Sequence, residues 1–162
     1  MKHLGLYIFL ASLVVITGFV YFYFSSILSP LEARQEAAVE NAMEEADIQE
    51  VKNVDYFHGS RSYQVIDAVT NEDEAIYVLV EETESETDPV ILPHSEGISF
   101  DEAAAAAGEN SNIAELKSVK IGLMEDTPVY EIHYADPEGR LSYYYVTFAN
   151  GEYVRSYQLS PA

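Results

Sequence analysis

Residues 130–148 read YEIHYADPEGRLSYYYVTF, and this stretch decides the fold. Val129 to Ala135 and Arg140 to Phe148 are runs of strand-forming residues, and Asp136-Pro137-Glu138-Gly139 between them has the composition of a turn. The pair therefore reads as an antiparallel hairpin. Because a strand alternates its side chains, Tyr143 and Tyr145 fall on one face and Tyr144 on the other, so both faces carry aromatic surface.

Working outward, Glu115 to Met124 precedes the hairpin as a strand, and Glu152 to Leu159 follows it across the turn Ala149-Asn150-Gly151. Upstream, Ser99-Phe100-Asp101-Glu102 is a capping box that opens an Ala-rich helix ending near Gly108. The same order stands earlier in the chain. Ser29-Pro30-Leu31-Glu32 combines an N-cap, a proline at the first helical position and a glutamate three residues after the cap. It predicts a helix to about Asp47, with Ala33, Ala37, Ala38, Ala42, Met43 and Ala46 near one stripe. Strands follow at Val51 to Tyr56, Ser62 to Thr70 and Glu74 to Glu82, separated by HGSR and TNED. Thr83 to His94 connects the two units, with Val90, Ile91 and Leu92 as a candidate short strand. A shift of 67 residues places Tyr63 on Tyr130, Val65 on Ile132, Tyr77 on Tyr144 and Leu79 on Val146, which reads as internal duplication.

The N-terminal part is unlike the rest. Leu4 to Leu28 is an uncharged run of 25 residues, long enough as a helix to cross a hydrocarbon core of about 30 Å. A cleaved signal peptide would have a shorter apolar region and small residues at its end, whereas this run ends in aromatics, Ile27 and Leu28. The reading is a retained anchor with Lys2 on the cytoplasmic side, Tyr21 to Phe24 in the far interfacial belt and the remainder outside the cell.

Every Asp and Glu lies at Glu32 or later, and the 162 residues carry 28 acids against 8 bases, a formal charge of -20. Such a field repels nucleic-acid phosphates and anionic lipid headgroups, which excludes binding either through a basic patch. The absence of Cys removes disulfides, thiolate metal sites and a cysteine nucleophile. His3, His58, His94 and His133 occur singly, without metal-ligand spacing. Asn71 to Glu74 and Asp136 to Gly139 lack the ligand pattern of a calcium loop and read as turns. No nucleophile, phosphate-loop or nucleotide motif is present. The chain reads as a non-enzyme with no catalytic residues, no cofactor and no small-molecule substrate.

Tyrosine stands out instead, with 13 in the chain. Tyr63, Tyr77, Tyr143 and Tyr145 are the candidate partner-binding residues. Two readings stay open for them: a solvent-facing aromatic patch of the kind that makes protein contacts, or simple strand propensity covering a sheet.

Residues 75–80 (AIYVLV), 96–99 (EGIS), 130–134 (YEIHY) and 144–152 (YYVTFANGE) carry a resemblance. On these segments the chain resembles the TseB (YpmB-type) cell-wall elongation regulators of low-GC Gram-positive bacteria, whose outer domains are cystatin-like and related to PepSY domains. PepSY-like sequences often end in YVD before a TG turn; here Thr147 and Asn150-Gly151 stand in those places, so no role for that Asp transfers. The resemblance implies an α+β chain with a transmembrane anchor at 1–30 and two small cystatin-like domains at 31–92 and 93–162, each a helix on an antiparallel β-meander. It further implies a non-catalytic, single-pass regulator of cell-wall elongation that binds a class B penicillin-binding transpeptidase outside the membrane. The alternative it leaves is a PepSY-type inhibitor or holdase of a secreted peptidase.

Overall fold

The computed structural model of the protein describes residues 4–82 and 87–159, with the side chains of residues 4–8, 11, 12 and 24–31 outside the description. The elements in chain order are α1 (Leu4–Glu45), β1 (Ile48–His58), β2 (Ser62–Thr70), β3 (Ala75–Glu81), β4 (Val90–Pro93), α2 (Phe100–Asn110), β5 (Glu115–Met124), β6 (Thr127–Ala135), β7 (Leu141–Thr147) and β8 (Tyr153–Gln158). Chain contacts divide the molecule into residues 1–37, which are helical where described, and a body of residues 38–162.

One expectation about α1 is corrected. Ser29-Pro30 does not start a new helix; a single helix of 42 residues runs through it. A proline inside a helix removes one backbone donor and crowds the preceding turn. Here it is outvoted by the segment that follows, since LEARQEAAVENAMEE consists almost wholly of strong helix formers. The expected membrane span includes residues 4–8, 11, 12 and 24–28, which lie outside the described side chains. Among the described residues no helix is long and apolar enough to cross a membrane.

The body holds two four-stranded antiparallel sheets, ordered β1-β2-β3-β4 and β5-β6-β7-β8, consistent with two small units. On the first sheet, Ile66, Ala68, Ile76 and Val78 are buried against Ala38 and Ala42 of α1 and Ala46 just after it. Those alanines recur every four residues, which keeps one small-residue stripe against the sheet. Met43, read into the same stripe, is exposed. Burying Ile66 and Val78 contributes roughly 1.5–3 kcal/mol each.

The duplication is present at a different offset. In the first lobe Ile66 pairs with Val78, and in the second Ile132 pairs with Tyr144, so the two ladders superpose at 66 residues, not 67. A one-residue slip exchanges sheet faces. Tyr130 packs on Phe100 of α2 at 5.2 Å, on the helix side of its sheet, whereas Tyr63, Val65, Tyr77 and Leu79 lie opposite the face that holds α1. They join a core shared with the second lobe, including Ala103, Ala107, Ile121, Ile132 and Phe148. Tyr77 meets Phe148 edge-on at 6.3 Å.

Local signals explain the rest. Ser99 accepts from the Glu102 N–H while Glu102 accepts from the Ser99 N–H, so the capping box read from the sequence starts α2. The β5–β6 hairpin turns on Glu125 and Asp126, both at positive φ (49° and 66°), the conformation of a two-residue turn that matches strand twist. Asn71 to Glu74 closes β2–β3 through the Thr70 N–H donating to Glu74 O.

Candidate functional site

The second sheet ends in a strand with one neighbour. Among the described residues β8 pairs with β7 alone, and all six of its residues are exposed. Leu159 donates its N–H to Leu141 O at 2.8 Å, and Tyr143 faces Tyr157 two residues along the ladder. In an antiparallel ladder donors alternate in direction, so the N–H groups of Ser156 and Gln158 point away from β7. That row of free backbone groups is a template for another strand, and neither Pro nor Lys blunts it.

Side chains extend the edge onto a face. His133 stacks on Tyr143 at 4.4 Å and Tyr143 on Tyr157 at 4.9 Å. Arg155 lies over the Tyr145 ring at 5.1 Å and near the Tyr157 ring at 5.9 Å, the arrangement of a cation on aromatic faces. Tyr145 donates to Glu131 at 2.5 Å and its hydroxyl is 3.1 Å from that of Tyr157. Burial pushes the Tyr145 phenol well above its ordinary pKa, and the bond to the Glu131 carboxylate adds to the shift. Burial, with Tyr157 and Glu131 nearby, also raises Tyr143. In this chain of 28 acids and 8 bases, Arg155 is the one charged residue of β8.

The four tyrosines singled out by sequence fall in unequal places. Tyr63, Tyr77 and Tyr145 are only 3%, 5% and 2% exposed, and all three lie in the core. Tyr143 is half-buried and leans on that core. Tyr143 and Tyr145 do share a face, with Tyr144 on the other, where it packs near Tyr153 at 5.1 Å. Tyr63 and Tyr77 are not a counterpart of that face, because the second lobe covers them. The residues a partner would meet are Tyr153, Val154 and Tyr157, all exposed, together with Arg155. No sequence motif marks them; their exposure follows from β8 having β7 as its one neighbour among the described residues.

Such a surface offers backbone pairing, aromatic contact and one cation, which is equipment for binding an extended protein segment. Among the described residues no group of three His, Asp or Glu side chains could hold a metal ion.

Residues 37–81 match the family model described as "Cell wall elongation regulator TseB-like domain". The chain is similar to the "Probable cell wall elongation regulator TseB" of Bacillus subtilis (strain 168), 29% identical over 149 residues, covering 92% of this chain and 89% of that protein. Among solved structures it is similar to the "YpmB protein from Bacillus subtilis", with a TM-score of 0.69 and 28% identity over 78% of this chain and 96% of that one.

Proposed function

From the chain's place in the TseB/YpmB family, we propose that it is a non-catalytic, membrane-anchored regulator of cell-wall elongation whose second sheet binds a class B penicillin-binding transpeptidase outside the membrane. The regulatory role is supported by the name of the relative that matches most of the chain. The uncharged run from Leu4 to Leu28 supports the anchor. The observation that carries the contact is the free edge of β8, with the Ser156 and Gln158 donors turned outward beside Tyr157 and Arg155.

A strand added to this edge gains affinity from main-chain bonds and specificity from side chains on alternate positions. Two proteins held in one membrane also meet at raised effective concentration, so a contact of modest area suffices. Binding by β8 leaves the core tyrosines in place, and the complex needs no rearrangement of either lobe.

The test is copurification from membranes. Tagged full chain is expected to bring down a penicillin-binding protein, and Ser156→Pro is expected to lose it. That substitution removes a donor that β7 does not use, so the fold survives. Loss of normal cell length in the same strain would tie the contact to elongation. Recovery of the transpeptidase with the proline variant at the wild-type level would overturn the proposal.

A further inference from the structure

Between the first lobe and the segment entering α2 lies a cleft of about 450 Å3, lined by Asp67, Tyr77, His94, Phe100, Glu102 and Tyr130 among others. This is the size of a small-ligand site. None of those residues belongs to β7 or β8, so the cleft is distinct from the sheet edge described above.

Its polar groups are unevenly committed. Asp67 Oδ1 and His94 Nε2 are 3.4 Å apart, yet both atoms are buried without a hydrogen-bond partner. A buried acceptor of this kind is costly to leave unmatched. Glu102 takes the N–H and hydroxyl of Ser99, both at 2.8 Å, which fixes a negative charge at the start of α2 and holds that carboxyl below its usual range. Of the backbone donors here, the Ser99 N–H is met by the Glu102 carboxylate and the Glu102 N–H by the Ser99 hydroxyl. Burial lowers the His94 pKa against the opposing pull of Asp67, and Lys52 lowers it further, which favours a neutral ring. Lys52 makes no ion pair with Asp67 among the described residues.

The walls are aromatic. His94 stacks on Tyr77 at 3.8 Å, and Phe100 stands edge-on to Tyr77 at 6.0 Å and to Tyr130 at 5.2 Å. Phe100 is partly exposed and so is available to an occupant. A carboxylate among aromatic faces, inside a chain of formal charge -20, is the recognition chemistry of an organic cation. We infer that this cleft binds an alkylammonium or guanidinium group, with Asp67 as the counter-charge and the exposed ring of Phe100 as the aromatic wall. The cation has two sources, a free amine or a basic side chain of a protein.

The test uses the full chain in detergent micelles, titrated with butylammonium, methylguanidinium and an acetylated lysine tetrapeptide, with butyrate as the anionic control. The readout is the NMR shift of the Ile98 methyl groups and the His94 ring, both at the cleft. Saturable shifts with a cation and none with butyrate are expected. Asp67→Asn should weaken binding at least tenfold, and Phe100→Leu several-fold. Tighter binding of the peptide assigns the site to a protein side chain; equal or tighter binding of the simple ions assigns it to a free amine. Absence of saturable shifts with all three cations, an equal response to butyrate, or undiminished binding in both variants would overturn the inference. Ser156→Pro should leave these shifts unchanged, which separates this site from the proposed transpeptidase contact.

Discussion

Phe57 of the first lobe lies over Gly122 of the second so closely that a Cβ at Gly122 would sit 2.2 Å from the Phe57 ring. Phe57 is buried in the shared core, so its ring has little room to retreat. Gly122→Ala is therefore expected to cost about 1–3 kcal/mol, the usual penalty of overpacking. Thermal denaturation checks the loss. Adding Phe57→Leu should recover part of it, since neighbouring substitutions couple.

Glu125 and Asp126 turn the β5–β6 hairpin at positive φ without a glycine or asparagine. A side chain in that region costs roughly 1–2 kcal/mol, which Asn bears with less strain. Glu125→Asn is expected to stabilise the protein by about 0.5–1 kcal/mol, read as a higher midpoint in urea with an unchanged slope. Asp126 is a poorer choice for the same change because it pairs with Arg61.

Tyr145 ties β6, β7 and β8 together through Glu131 and Tyr157. Tyr145→Phe keeps the ring and removes both contacts, with an expected loss of about 1–2 kcal/mol. Because Tyr157 then loses an anchor, the same variant should also weaken copurification of the transpeptidase. Unchanged stability in chemical denaturation would show that these hydroxyl contacts contribute nothing.

Asp136 organises the β6–β7 turn by accepting from the Glu138 and Arg140 N–H groups, from the Arg140 guanidinium and from Gln158 on β8. Burial alone would raise its carboxyl, but the backbone and guanidinium bonds from Arg140 outweigh it and hold the group below the usual carboxylate range. A depressed folded value means that the stabilisation is complete above the unfolded pKa, near 3.9, and is lost as pH falls through the folded value. Asp136→Asn should therefore melt lower than wild type at pH 7 and show a flatter decline below about pH 4. Melting curves across that range check the sign.

Strand placement was legible in the sequence because each run is bounded by its own turn chemistry. Ser62 to Thr70 and Glu115 to Met124 have the same limits in the structure, and Ser99 with Glu102 marks the start of α2. Ser29-Pro30 misled, because a capping pattern is a local signal and the helix formers that follow it overrode it. The repeat was visible, but alternation alone leaves phase open, and an offset of 67 exchanged the faces of Tyr63 and Tyr77 relative to Tyr130 and Tyr144. For the same reason tyrosines read as surface became core: their burial is set by one lobe covering the other, a long-range contact that no window of sequence contains. The candidate edge at β8 depends on which strand has a single neighbour, and that is a property of sheet order.

A photocrosslinking amino acid at Ser156, in living cells, tests the account most directly. Irradiation is expected to give one adduct containing a class B penicillin-binding transpeptidase, while the same probe at Ile91, exposed on β4 of the first sheet, gives none. No transpeptidase adduct at Ser156, or equal adducts at both positions, would contradict binding through the outer strand of the second sheet.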